Sequence, residues 1–283
     1  MVFSIPQEKA AEMFTSYRFQ CALTPSMQKC AFHVQDSDGL DLCLKVISPD
    51  YEAVRLEREI AALRAVNHPN VVRFHEYAFR VTRDSQSHYI IEEFVPGNDL
   101  SELFTGDPWD LGRVAEFFIQ FFEGLAELKA NGLVHRDLKP TNVRVHTDGH
   151  PVIIDFGLVR HLNRSDLTLT AQGAGLGTPA YFAPEQFTGT KYDIDHRTDL
   201  FAAGILLYTA LVGCHPFLRD GASLPELRDS VCNSEEHLKH ERFTTLPRPW
   251  QLLVAKLLQK DRPKRINDPT QVASILKKLG ERG

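Results

Sequence analysis

Apolar and polar positions alternate along FQCAL (19–23), CAFHV (30–34), DLCLKVI (41–47), VVRFHEY (71–77) and HYIIEEF (88–94), and this period of two predicts short strands up to about residue 95. The exception is Tyr51 to Val66, where apolar residues at 54, 56, 60, 63 and 66 predict a helix. Asp50 stands where it can cap the start of that helix, and Pro69 lies just beyond its end. After Val95-Pro96-Gly97 the period turns helical. Leu111 to Ala130 carries a broad apolar stripe at 114, 117, 118, 121, 122, 125 and 128, closed by Gly132. Asp199 to Val212 reads as a buried helix, and Pro249 to Gln259 and Pro269 to Leu279 as two more. Each of the last two opens on a proline suited to the first helical position, and the second has Asp268 before it and Gly280 after it. The turn-rich PGND at 96–99 is the natural boundary. The class is α+β, with a small β-rich part over 1–95 and a larger helical part over 96–283, and the sequence holds no internal repeat or low-complexity linker.

The 283 residues, 43% hydrophobic and 24% charged, suffice for a sizeable core and exclude a short disulfide scaffold or a disordered tail. Lys+Arg total 32 against 37 Asp+Glu, a net charge of −5 with no basic run, which disfavours nonspecific binding to nucleic acid or an anionic membrane. The longest uncharged apolar run, Phe201 to Gly213, is too short to span a bilayer. The N-terminus MVFSIPQEKAAEMF lacks the basic head and apolar stretch of a secretory leader, so a cytoplasmic location is expected. Cys21, Cys30, Cys43, Cys214 and Cys232 are odd in number and scattered, which fits reduced thiols better than bridges or a zinc site.

The segment richest in chemistry is HRDLKPTN at 135–142, followed thirteen residues after Asn142 by Asp155 in IIDFG. Two carboxylates, a lysine and an amide thereby fall on loops between short strands. Phosphoryl transfer to a hydroxyl calls for such a set: a carboxylate to orient the acceptor, a cation near the moving group, and oxygen ligands for magnesium.

With these motifs the sequence resembles the eukaryotic-type protein kinases, in particular bacterial serine/threonine members, over nearly its whole length. The resemblance implies a two-lobed fold, an N-lobe over 1–95 and a C-lobe over 96–283, and an activity that moves the γ-phosphate of Mg-ATP to a protein Ser or Thr. By the same resemblance Asp137 orients the hydroxyl, Lys139 stabilises charge on the phosphoryl group, and Asn142 and Asp155 hold Mg2+. Lys45 in LCLK would hold the ATP phosphates, with Glu59 as its ion-pair partner, and Glu93 and Val95 in EEFVPG would offer backbone hydrogen bonds to adenine. GTPAYFAPE at 177–185 resembles the end of an activation segment. Glu185 is expected to pair with Arg265, and Asp199 of DLFAAG to accept hydrogen bonds from the catalytic-loop backbone. Lys139 together with Thr178 resembles the serine/threonine class. Thr168 and Thr170, with Ser165 and Thr178 on the same segment, are the candidates for autophosphorylation, by self-association of the chain, with Arg136 as receptor for the phosphate.

Three departures from the family stand out. The stretch where its glycine-rich loop belongs reads LTPSMQK (23–29); the first glycine is Gly39, and Pro25 has no amide hydrogen to offer a phosphate. Glu92 falls at the gatekeeper position, normally apolar or Thr, and Arg144 where an apolar residue lies under the base. If buried, each needs a partner, and Glu92 is expected either to compete with Glu59 for Lys45 or to pair with Arg144. These departures support an alternative, a pseudokinase scaffold with poor turnover. Retention of Lys45, Glu59, Asp137, Asn142 and Asp155 opposes it, and Lys139, GTPAYFAPE and Arg265 oppose a small-molecule kinase of related fold.

Overall fold

The computed structural model describes residues 3–26, 28–81, 86–157, 160–161, 179–188 and 194–281. The chain forms two compact units, Met1–Val95 and Pro96–Gly283. The first holds α1 (Gln7–Met13), β1 (Arg18–Ala22), β2 (Lys29–Gln35), β3 (Asp41–Ile47), α2 (Ala53–Ala65), β4 (Phe74–Val81) and β5 (Gln86–Glu93). Its five strands form one antiparallel sheet in the order β1-β2-β3-β5-β4.

Register sorts the side chains of this sheet. Cys30 pairs with Val46, Phe32 with Leu44, Val34 with Leu42, and Leu44 and Val46 in turn with Ile91 and Tyr89. Because side chains alternate across a strand, these residues share one face, and α1 covers them with Ala10, Met13 and Phe14 in one buried cluster. The opposite face carries Lys29, Ala31, Cys43, Lys45, Ile47, Ile90 and Glu92. It is this face that carries the buried charges Lys29 and Glu92 and the partly buried Lys45.

Helix α2 begins later than its apolar period predicts. Glu52 occupies the N-cap without a side-chain hydrogen bond, and the Asp50 backbone N–H is bound to Ser48 Oγ. The reason lies in Tyr51, which is buried and turns its hydroxyl to Glu59 Oε2 at 2.9 Å instead of joining the helix. Of the predicted stripe, Leu56, Ile60, Leu63 and Val66 are buried and Val54 is exposed.

The second unit holds β6 (Gly97–Asp99), α3 (Leu100–Leu103), α4 (Leu111–Ala130), β7 (Leu133–Val134), β8 (Val143–His146), β9 (Pro151–Ile153), β10 (Arg160–His161), α5 (Pro184–Thr188), α6 (His196–Val212), α7 (Leu224–Asn233), α8 (Glu241–Thr244), α9 (Arg248–Leu257) and α10 (Pro269–Gly280). Asp110 caps α4 by accepting the Arg113 N–H, and the whole predicted stripe is buried, with Phe117, Phe118, Phe121 and Phe122 meeting edge to face or tilted. Helix α6 is buried on all sides from Thr198 to Val212, as befits a helix apolar all round. It starts three residues earlier than predicted because Asp195 supplies the cap, accepting the Arg197 N–H. Gly204 lets α9 approach closely: a Cβ there would lie 2.8 Å from Leu257 Cβ. Among the described residues no helix is long and apolar enough to cross a membrane.

Beyond α6, His215 accepts the Phe217 and Leu218 N–H groups on Nδ1. Burial lowers its pKa to about 4, and does the same to His237. Both rings therefore fold neutral. The unfolded chain binds more protons than the folded one between pH 6.5 and 4, so this stability is complete above 6.5 and falls as the pH drops towards 4. For His215 the loss between pH 6.5 and 5 is about 2 kcal/mol. Urea unfolding at these two values should show the summed drop of both histidines, and His215→Asn, which keeps an acceptor for the two N–H groups, should remove the His215 share and leave that of His237; an unchanged slope in that variant refutes the assignment.

Candidate active site

In the second unit, the loop after β7 carries His135, Arg136 and Asp137, and a single 3-10 turn, Pro140–Asn142, returns the chain to β8. Arg136 has φ +71°, a left-handed conformation that costs energy for a residue with a side chain. What holds it there is Asp199 of α6, whose Oδ2 accepts the His135 N–H at 2.7 Å and whose Oδ1 accepts the Arg136 N–H at 2.8 Å. Gln186 adds a bond to the Arg136 carbonyl at 3.1 Å. Burial pushes the Asp199 carboxyl above the usual carboxylate range, against the pull of those two N–H donors. The hydrogen bonds expected of Asp199 are thus present, and they fix the direction in which the next residue, Asp137, leaves the loop.

Asp137 is the centre of a compact cluster. Lys139 Nζ lies 2.9 Å from its Oδ2, and Asn142 Nδ2 donates both to its carbonyl (2.8 Å) and to Oδ2 (3.1 Å). With the Asn142 nitrogen pinned in this way, Oδ1 is the atom it can offer a cation. The Asn142 carbonyl accepts the Ile154 N–H at 3.0 Å, tying this loop to the strand end that delivers Asp155. His135, fully buried, joins the same strand end through Nε2 and the Ile154 carbonyl at 3.0 Å. Asp155 also has a positive φ, +63°, and accepts the Gly157 N–H on Oδ1 at 3.3 Å. Two strained non-glycine residues within one site, each held by surrounding hydrogen bonds, are a mark of functional geometry.

In the first unit, the expectation for Lys45 and Glu59 requires correction. Lys45 Nζ is 2.6 Å from Glu92 Oε2, while Glu59 Oε1 is 2.5 Å from Lys29 Nζ and Glu59 Oε2 takes the Tyr51 hydroxyl. Glu59 and Glu92 are each 1% exposed. Burial pushes the Glu92 carboxyl upward against the opposing pull of Lys45, and its Oε1 has no hydrogen-bond partner among the described residues. Of the two partners expected for Glu92, the structure gives it Lys45. Arg144 is satisfied elsewhere, by Asp99 at 2.8 Å and by the Gly97 carbonyl.

Other expectations fare differently. Glu93 gives its N–H to the Arg73 carbonyl and accepts the Arg73 N–H on its carboxylate. Val95 is buried at the last position of the first unit. Thr168, Thr170, Ser165 and Thr178 lie outside the described residues. Glu185 and Arg265 form a buried, two-pronged pair, Nη1–Oε1 2.7 Å and Nη2–Oε2 2.9 Å. The partners of Glu59 are instead Lys29 and Tyr51, to which the motifs in the sequence do not point. In the sequence Lys29 ends the glycine-free stretch LTPSMQK, two residues before Ala31 and directly before the predicted strand CAFHV.

Comparison with known proteins agrees with this geometry. Residues 29–278 match the protein kinase domain family. The serine/threonine-protein kinase pkn2 of Myxococcus xanthus is 36% identical over 255 residues, covering 86% of this chain and 30% of that protein. A probable serine/threonine-protein kinase of Streptomyces coelicolor is 34% identical over 67% of this chain and 29% of its own length, and PknB of Mycobacterium tuberculosis 31% identical over 64% and 29%. The chain thus spans about a third of the length of these relatives. With the family match running from β2 to α10, and the catalytic loop, its buried aspartate and the Glu185–Arg265 pair in place, the chain belongs to the protein kinase domain family.

Proposed function

We propose that the protein is a serine/threonine protein kinase that transfers the γ-phosphate of Mg-ATP to Ser or Thr hydroxyls of protein substrates. The observation that carries this reading is the Asp137 cluster, in which the acid, Lys139 and Asn142 are bonded to one another on a loop that Asp199 holds in a strained conformation. Asp137 orients the acceptor hydroxyl and takes its proton. The hydroxyl oxygen forms a bond to the γ-phosphorus as the bond from that phosphorus to the oxygen bridging it to the β-phosphate breaks, and ADP leaves. Lys139 stabilises charge on the moving group, and Lys45 holds the other phosphates.

The carboxylate of Asp155 and Oδ1 of Asn142 are hard oxygen donors, a set that suits Mg2+. Bound there, magnesium would supply charge neutralisation on the phosphates. The names of the relatives and the lysine at 139 support Ser and Thr as acceptors. Thr168 and Thr170 are the proposed sites of autophosphorylation, by transfer between associated copies of the chain.

Purified protein incubated with Mg-ATP, beside an Asp155→Asn variant, should acquire phosphate on Ser or Thr in the wild type only, as mapped by mass spectrometry. Absence of phosphate on the protein and on a generic substrate, with no thermal shift on adding Mg-ATP, would overturn the proposal in favour of a scaffold.

A further inference from the structure

Phosphates in this family are cradled by backbone N–H groups of a glycine-rich loop. In the corresponding β1–β2 loop the Leu23 N–H goes to the Ala31 carbonyl and the Ser26 N–H to the Lys29 carbonyl, and Pro25 has no N–H to offer. Immediately after this loop stands Lys29.

Register places Lys29 opposite Ile47 and Lys45 opposite Ala31, so the two lysines are diagonal neighbours on the same face of the sheet, the face that also bears Glu92. Each is paired with a different buried glutamate, Lys29 with Glu59 and Lys45 with Glu92. Lys29 is further fixed by Tyr51, whose ring centroid lies 5.4 Å from Nζ and whose hydroxyl holds the other Glu59 oxygen. Burial pushes the Tyr51 phenol up, so it remains a proton donor to Glu59. The result is two oriented ammonium groups, with side chains of similar low exposure (8% and 12%), where the family's pattern needs one.

From this arrangement we infer that Lys29 is a second phosphate-binding cation of the nucleotide site, oriented by Glu59 and Tyr51 while Glu92 orients Lys45, and that its charge compensates for a loop without glycine in which Leu23 and Ser26 spend their N–H groups and Pro25 has none. The inference rests on the kinase reading above. It also accounts for Glu92 at a position that is ordinarily apolar or Thr: with Glu59 engaged by Lys29, a second buried carboxylate is required if Lys45 is to be oriented as well.

The test is the discrimination between ADP and adenosine, which differ only in the phosphates, measured by calorimetry with Mg2+ on wild type, Lys29→Met and Lys29→Arg. Lys29→Met should lose at least tenfold in ADP affinity and leave adenosine affinity within twofold, with KM for ATP rising in parallel, and Lys29→Arg should recover most of the loss. Equal losses for both ligands, or no loss for either, would make Lys29 a structural residue and overturn the inference. Should Lys29→Met not fold, Lys29→Gln, which keeps a hydrogen bond to Glu59, gives the same comparison. The kinase reading fails separately: a wild-type protein that binds neither ligand and transfers no phosphate removes both proposals, whereas normal transfer with an unaffected Lys29→Met removes only this one.

Discussion

Asp137→Asn is expected to lower kcat by about 10²- to 10⁴-fold, the span typical of removing a positioned general base. The substitution preserves size and alters one property, the capacity of Oδ2 to accept. In the structure that oxygen receives Lys139 at 2.9 Å and the Asn142 amide at 3.1 Å. An amide at position 137 can offer its oxygen to one direction only and presents N–H groups to the other. The acceptor hydroxyl then loses its proton acceptor, and Lys139 loses the charge that holds it. The backbone of the loop is fixed by different groups, the Asp199 carboxylate and the Gln186 amide. Thermal stability and the KM for ATP should therefore stay near wild type while kcat collapses. A variant that transfers phosphate at more than a tenth of the wild-type rate would remove Asp137 from the role assigned to it.

Much of the scaffold around this loop is legible from residue types alone. DLCLKVI is observed as β3 and Leu111–Ala130 as α4, residue for residue, because in each a strict period coincides with clear end signals. Where the sequence reading is off, a side chain has been diverted to a distant partner. Tyr51 stands at the predicted start of α2 but turns its hydroxyl to Glu59, and the helix starts after it. Helix α6 extends back to His196 because Asp195 is its cap, a role its polar surroundings in DIDHRTD do not distinguish from an ordinary turn. Helix α7 was not anticipated, although Ser223 and Glu226 form a capping box at its start.

The charge pairing of the first unit shows the same limit more sharply. Motif order brings Lys45 and Glu59 forward, yet two lysines and two glutamates meet on one sheet face, and sequence order does not say which carboxylate each ammonium reaches. Strand register and burial do. Glu59 occupies a core position of α2, in phase with Leu56, Ile60 and Leu63, and Glu92 lies in the interior strand β5, so neither can discharge its cost to solvent. In the second unit no such ambiguity arises, because Asp199, Glu185 and Arg265 each have a single strong motif context.

Arg265→Met is expected to cost roughly 3 to 5 kcal/mol of folding stability, because it strands the Glu185 carboxylate in the interior. Arg265 is 3% exposed, and its guanidinium reaches beyond the two Glu185 oxygens to the carbonyls of Gln259 (2.9 Å) and Arg197 (2.8 Å). The pair thus joins α5, the start of α6 and the segment after α9. At about 3 °C per kcal/mol for a unit of this size, the transition should fall by about 10 °C. Arg265→Lys should recover little, since an ammonium cannot bridge both carboxylate oxygens and two carbonyls from one plane. The double variant Glu185→Leu with Arg265→Met separates two causes. Removing both charges abolishes the stranded carboxylate, but it leaves the Gln259 and Arg197 carbonyls and the Thr198 hydroxyl, which donates to Glu185 at 2.9 Å, without their partners. The double variant should therefore be more stable than Arg265→Met and less stable than wild type. A double variant as stable as wild type would assign the whole effect to the ion pair, and one no better than Arg265→Met would assign it to the carbonyls that the guanidinium gathers.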